Sequence, residues 1–196
     1  MDKKSKTIDR CQISGVQDLK TVLSLGYLPP VNKLNKINSS LREDVFYPAE
    51  LMFSPSSKLM QLNTIVDKEI LFPKEYPYTS STTKVLRENF EELYKECRKI
   101  ISISSKDLII DVGSNDGNLL NNFKNHHKVL GITPEKIGKI AIKKGINTLI
   151  KYFNKDTANL VLKKFGRAKI VTATNVFAHI EDVNSLMKNL LQVLIN

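Results

Sequence analysis

The chain contains no tryptophan, three histidines and two cysteines among its 196 residues. Cys11 and Cys97 lie far apart and show neither a disulfide framework nor metal-ligand spacing, which argues against a thiol-stapled secreted fold. A reducing compartment is the expectation. No apolar run approaches the ~20 residues of a membrane span. The charged start Met1-Asp2-Lys3-Lys4-Ser5-Lys6 is not followed by an apolar signal core, so the expected setting is soluble and cytoplasmic, without a membrane partner. Dense Lys/Arg blocks and arginine-rich arms are also missing, although the net charge is +10. A basic excess spread over solvated faces, with no reading motif, argues against nucleic acid as a partner. There is no internal repeat and no low-complexity linker.

What is present is a hydrophobic fraction of 41%, enough for a buried core. From Cys11 to about Tyr78, Pro29, Pro30, Pro48, Pro55, Pro73 and Pro77 interrupt every segment, which predicts short strands and loops. Between Thr82 and Ile101, Val85, Leu86, Phe90, Leu93, Tyr94 and Cys97 recur at three- and four-residue steps, predicting an amphipathic connecting helix. From Lys106 onward apolar runs alternate with helical stretches, the pattern of a parallel α/β sheet. Strands are expected at 107–112, 128–132, 148–150 and 168–173. Helices are expected at 117–125, 134–144, 156–165 and 182–194, with Pro134 at a helix start. The implied organisation is an N-terminal domain over 1–81, a connecting helix over 82–105 and a nucleotide-type domain over 106–196.

The strand Leu108-Ile109-Ile110 delivers Asp111 into a turn with Gly113 and Gly117, after which Leu119-Leu120 opens a helical pattern. Glycine at these positions permits backbone angles closed to other residues and lets a ligand and the following element approach the strand. Free amides at such a turn favour a carboxylate or other negative group. The spacing is DxGxxxG, not the dinucleotide fingerprint GxGxxG, and a glycine turn alone is also an ordinary structural device. Two further segments share its expected location. Gly131-Ile132-Thr133-Pro134-Glu135 and Thr174-Asn175-Val176-Phe177-Ala178-His179-Ile180 should also lie at carboxyl ends of neighbouring strands, where open α/β sheets bind ligands.

Taken in order, DVGSNDGNLL, GITPE and NVFAHIEDV resemble the class I S-adenosylmethionine-dependent methyltransferases, specifically the sugar C-methyltransferases acting on nucleotide-linked deoxysugars. LGYLPPVN at 25–32, KLMQL at 58–62 and LFPKEYPYTSSTTKVLRENF at 71–90 are similar to that family's N-terminal domain, so the likeness runs from about Cys11 to the end. The resemblance implies a partial Rossmann-like class I methyltransferase sheet of the α/β class, preceded by a small irregular N-terminal domain. It implies S-adenosylmethionine as cofactor and a nucleotide-linked keto-sugar as substrate. Asp111, Gly113 and Gly117 fall on the cofactor motif, with Ser114, Asn115 and Asn118 beside it and Asn175 at the neighbouring strand end. Thr133 stands where relatives place an acid for the ribose hydroxyls; it forms a hydrogen bond, but not a bidentate charge-assisted one.

By the same resemblance His179 matches the histidine near the transferred methyl group, and Tyr76 and Tyr78 are candidate catalytic hydroxyls. Methylation beside a keto group calls for a base at the α-proton and a donor to the enolate, tasks suited to imidazole and phenol. On residues alone, His179 is also readable as a helix-start or packing histidine, and the two tyrosines as loop anchors. Asn89 stands where many relatives have a histidine.

Two departures from the pattern shape the expectations. Relatives carry two CxxC pairs for zinc, whereas here Cys11 is accompanied by Ser14, Ser54 and Ser57; one thiolate and three neutral hydroxyls predict no bound metal and a looser N-terminal domain. The sheet of relatives also continues beyond a fourth strand. A chain stopping at Asn196 should expose apolar sheet faces and an unpaired edge, favouring self-association or a complementing C-terminal chain. The rival reading is a non-catalytic remnant or one half of a split enzyme. A nicotinamide-dependent oxidoreductase is disfavoured by the glycine spacing and the neutral Thr133.

Overall fold

A computed structural model of the chain describes residues 5–32, 37–38 and 44–195. The charged segment 1–4 and Asn196 lie outside the described residues. The fold separates into two units, Met1–Pro73 with Glu181–Asn184, and Lys74–Ile180 with Ser185–Asn196. The stretch 74–105, read from sequence as the end of the first domain and a connector, lies within the second unit.

In the first unit β1 (Lys6–Thr7) pairs with β5 (Thr64–Ile65), and β2 (Lys20–Leu28), β3 (Tyr47–Phe53) and β4 (Met60–Leu62) form an antiparallel sheet in the order β2-β3-β4. A single turn, α1 (Lys68–Leu71), is capped by Asp67, whose side chain accepts from the Glu69 amide. The proline-broken reading holds, except that β2 is a nine-residue strand. Register shifts between Ser24 and Tyr27, with Gly26 at φ +75°, bend it. Every residue of β2 is exposed, Tyr27 by 70%.

Polar groups fill much of this unit's interior. Among its described residues only Cys11 and Ala49 are fully buried apolar side chains, accompanied by Ser54, Gln61 and Asn63. Gln61 accepts from the Gln12 amide (2.9 Å) and donates to the Arg10 carbonyl (3.2 Å), while the Asn63 side chain donates to the Glu50 carboxylate. Satisfied hydrogen bonds make such burial tolerable.

The second unit comprises α2 (Lys84–Ile100), β6 (Leu108–Val112), β7 (Lys128–Thr133), α3 (Gly138–Lys143), β8 (Thr148–Ile150), α4 (Lys155–Lys164), β9 (Ile170–Thr172) and α5 (Val183–Val193). Its four strands are parallel in the order β8-β7-β6-β9. All five residues of β6 are buried, as expected for a central strand covered on both faces. Leu108, Ile110 and Val112 join Val161 of α4 and Leu186 and Leu190 of α5 in one core. Ile109 instead packs with Phe90 of α2, Phe123 and Ala141 of α3.

This two-sided cover corrects the expectation of bare sheet faces around β6. The edge beyond β9 is also partly paired: Leu194 bridges Ala168 in parallel, with Ala168 N donating to Val193 O (2.7 Å) and Ile195 N to Ala168 O (2.9 Å). Two helices are shorter than their patterns suggested. Residues 117–125 form turns around a 3-10 segment at Leu120–Asn122, because Asn122 donates from its side chain to the carbonyls of Asn118 and Leu119 and competes with helical bonding. Pro134 does not open a helix. Residues 134–137 are used in a loop, where Lys136 N donates to Lys74 O (3.0 Å), and α3 starts only at Gly138.

Candidate functional site

The Asp111–Gly117 turn leaves the carboxyl end of β6, the middle of the parallel sheet. Gly113 N (2.7 Å) and Ser114 N (3.2 Å) both donate to Ile132 O, and Gly117 N closes the turn on Ser114 O (2.8 Å). Gly113 and Gly117 have φ of +77° and +78°. A Cβ at Gly113 would overlap the Val176 side chain, and one at Gly117 would sit 2.7 Å from Ile146 Cδ1 and 2.9 Å from Ala141 Cβ. Both glycines are therefore required by conformation and by space. Asn115 takes φ +50°, a region asparagine enters more readily than most residues.

Asp111 is only 2% exposed and accepts a hydrogen bond from the Thr172 hydroxyl of β9 (2.7 Å). Burial outweighs that bond and pushes its carboxyl up to about 7. A cationic group beside it would restore the ionised form. Ser114, 3% exposed, has a hydroxyl with no hydrogen-bond partner among the described residues.

Asn115 and Asn118 are engaged with protein. Asn115 donates to Tyr78 O (3.1 Å) and accepts from Ser80 N (2.9 Å), while Asn118 donates to Ser80 O (3.2 Å). Ser80 also donates from its hydroxyl to Asp116 (2.6 Å). Asp116, a fully buried side chain, is paired with Lys144 Nζ at 2.8 Å. Burial would raise its carboxyl, but the bonds from Lys144 and Ser80 hold it below the usual carboxylate range. The Asp111–Gly117 turn and Asn118 thus grip the segment Tyr78–Ser80. Sequence reading missed Ser80, Asp116 and Lys144; the only available signal was an aspartate directly before Gly117 within the motif.

Tyr78, with its ring edge-on to Tyr76 at 6.4 Å, lines a cavity of about 560 Å³ with Leu86, Glu88, Asn89 and Glu92 of α2 and with Asn175. Asn175 adopts φ +55° directly after the β9 end. Tyr78, Asn89 and Asn175, named separately from sequence, therefore meet in one place. His179 sits exposed on the 3-10 turn Phe177–His179 and is not among the residues lining this cavity. Thr133 ends β7, buried, and its hydroxyl donates to the buried carboxylate of Glu135. Glu135 was quoted in the GITPE segment without a role.

In the first unit Cys11, Ser14, Ser54 and Ser57, the positions set against the zinc pattern from sequence, lie on two neighbouring turns. Cys11 Sγ lies 3.0 Å from Ser57 Oγ, and the Ser14 amide reaches Cys11 Sγ at 3.4 Å. Ser54 donates to Asp18 (2.7 Å), which also accepts the Ser56 amide (2.8 Å). Burial raises the Cys11 thiol, but hydrogen bonds from Ser14, Ser57 and Ile13 outweigh it and lower it to about 6. One thiolate with neutral hydroxyls does not fit a structural zinc, and no group of three or more His, Cys, Asp or Glu suited to a metal occurs among the described residues.

Residues 11–72 match a family model described as "Putative zinc binding domain". The chain is 24% identical over 184 residues to the C-methyltransferase NovU of Streptomyces niveus, a match covering 93% of this chain and 44% of that protein. The chain thus spans less than half the length of the curated relative it matches. Among solved structures, 56% of the chain superimposes on 42% of the plantazolicin methyltransferase BpumL in complex with SAH, with a TM-score of 0.42 and 19% identity. The likeness to C-methyltransferases with an N-terminal zinc-binding-type domain, first read from the motifs, is borne out by the first two matches. No helix among the described residues is long and apolar enough to cross a membrane.

Proposed function

We propose that this chain carries the cofactor-binding part of an S-adenosylmethionine-dependent methyltransferase that methylates a carbon of a nucleotide-linked keto-deoxysugar. The observation that carries this reading is the Asp111–Gly117 turn. Its two left-handed glycines and its buried Asp111 lie at the carboxyl end of a parallel strand flanked by β7 and β9. The match to NovU over 93% of the chain supports the methyltransferase class. The sugar substrate rests on the motif resemblance.

Bound S-adenosylmethionine supplies an electrophilic methyl group on sulfonium sulfur. The chain's own residues hold and orient. Asp111 would hold the positively charged amino-acid end, Gly113, packed against Val176, would set the course of the turn, and Asn175 borders the cavity beside Tyr78. His179 takes the α-proton of the keto-sugar, while the Tyr76 and Tyr78 hydroxyls donate to the developing enolate oxygen. Calorimetric titration of the full chain with S-adenosylmethionine tests the cofactor assignment. Saturable one-to-one binding is expected; no heat at millimolar cofactor overturns it.

A second reading is favoured by the exposed apolar side chains of Val22, Leu23, Leu25, Tyr27 and Leu28 along β2. In it the chain works with a second polypeptide, either another copy or a complementing C-terminal chain. Light scattering decides this: a monodisperse monomer counts against obligatory pairing with itself.

A further inference from the structure

We infer that Asn115 and Asp116 are positioning residues that tie Tyr78 to the Asp111–Gly117 turn, so that a ligand filling the turn also fixes Tyr78 at its cavity. This deepens the proposed function and rests on it. Residues 72–83, between α1 and α2, form neither helix nor strand, so no backbone ladder sets where Tyr78 stands. Side chains of the turn do that instead. The Asn115 amide donates to Tyr78 O (3.1 Å) and accepts from both Ser80 N (2.9 Å) and Asp116 N (3.0 Å), which spends both lone pairs of its oxygen inside the protein. Asp116 takes hold of the same segment through the Ser80 hydroxyl (2.6 Å). Its side chain is 0% exposed, so water cannot replace Ser80 or Lys144 Nζ (2.8 Å), and losing either would leave a buried charge under-satisfied. Lys144 is fastened in turn, since its ammonium also reaches Asp116 O (3.2 Å) and its carbonyl accepts from Lys124 Nζ (2.8 Å).

The two sides of this joint differ in stiffness. The turn is confined, because Gly113 and Gly117 leave no room for a Cβ and Asn115 holds φ +50°. Tyr78 is 45% exposed and reaches the cavity, with Asn89 and Asn175, from an irregular stretch. That stretch is pinned upstream by Lys136 N, which donates to Lys74 O (3.0 Å) from the loop after β7, and downstream by the Arg87 guanidinium, which donates to Ser81 O (2.6 Å) and Thr82 O (3.1 Å). Between those pins the bonds of Asn115, Asp116 and Asn118 set the path of the chain. Asn115 and Asp116 are consecutive in the turn, so their hold on Tyr78 and Ser80 shifts whenever the backbone between Ser114 and Gly117 shifts. A ligand that selects one conformation of the turn therefore narrows the positions open to Tyr78. By linkage, release of the Tyr78 segment weakens the ligand by the same factor.

The test is hydrogen exchange of the full chain, of Asn115→Gly and of Ser80→Ala, each with and without saturating S-adenosylhomocysteine, with calorimetric affinities measured alongside. Asn115→Gly keeps a residue suited to φ +50° and removes only the amide, while Ser80→Ala removes only the bond to Asp116. In the wild type the ligand is expected to slow the amides of residues 78–81 by roughly ten-fold or more, together with those of 111–118. In both variants the slowing at 111–118 should persist and that at 78–81 should fall to about a third or less, with affinity reduced by a factor similar to the protection lost. Exchange of β6 and β7 without ligand should stay as in the wild type, which a purely structural role would not allow. Equal ligand protection of 78–81 in the wild type and both variants overturns the inference and leaves the cofactor reading standing, as does uniformly faster exchange through β6 and β7. If neither variant folds, the wild type decides: protection at 111–118 without protection at 78–81 also overturns it. Absence of any binding by the wild type overturns the cofactor reading, and the inference with it.

Discussion

The two units hold their candidate sites in opposite ways. In the first, the turns around Cys11 and Ser54 are linked through side chains: Cys11 meets Ser57, and the Asp18 carboxylate accepts from Ser54 and the Ser56 amide. In the second, the Asp111–Gly117 turn keeps the backbone chemistry of its motif, with left-handed glycines packed too closely for any Cβ. Burial follows the same division: β6 is wholly buried, whereas β2 is wholly exposed. The glycine turn is held by its own packing, because Val176, Ile146 and Ala141 fill the space a Cβ would need.

The largest effect should come from placing thiolates at the three serine positions. Replacing Ser14, Ser54 and Ser57 together by cysteine should convert a chain with no stoichiometric zinc into one holding a single ion by elemental analysis. That ion should raise the melting temperature, since structural zinc binding contributes on the order of 10 kcal/mol to folding. Failure of the triple variant to take up zinc would show that the two turns do not hold four donors in tetrahedral reach, and stoichiometric zinc on the wild-type chain would contradict the expectation of no metal.

The glycine side of the comparison is tested by Gly117→Ala, which forces a strained φ and a clash with Ile146 and Ala141. A loss of about 2–4 kcal/mol is expected in urea unfolding of the second unit, and a change below ~0.5 kcal/mol would contradict the reading. Asp111 tests the electrostatics. Its folded value of about 7 exceeds the ordinary carboxylate value near 3.9, so the folded state binds more protons than the unfolded one in between. Stability should be highest below about pH 4 as far as this group is concerned, fall by up to about 1.4 kcal/mol per pH unit toward 7, and level off above it. Asp111→Asn should remove that slope from urea unfolding measured between pH 4 and 8. An unchanged slope would place the raised affinity for protons elsewhere.

Much of this frame was legible because it depends on local pattern. The apolar runs marked β6, β7 and the half-buried β8 nearly to the residue, since central parallel strands are apolar on both faces. The helix after the turn was misjudged because asparagine side chains compete for backbone carbonyls, an effect that hydrophobic spacing does not register. Glu135 lacked a role because its fate depends on Pro134 starting a loop in place of a helix. Ser80, Asp116 and Lys144 join segments distant in sequence, and nothing local marks any of them as a partner of the others.

Hydrogen exchange with and without S-adenosylhomocysteine tests the central claim most directly, because it reads both units in one experiment. Slowed exchange is expected for the amides of residues 111–118, 131–133, 135 and 174–176, with no change around Cys11, Ser14, Ser54 and Ser57. Protection confined to the first unit, or none anywhere at saturating ligand, would contradict it.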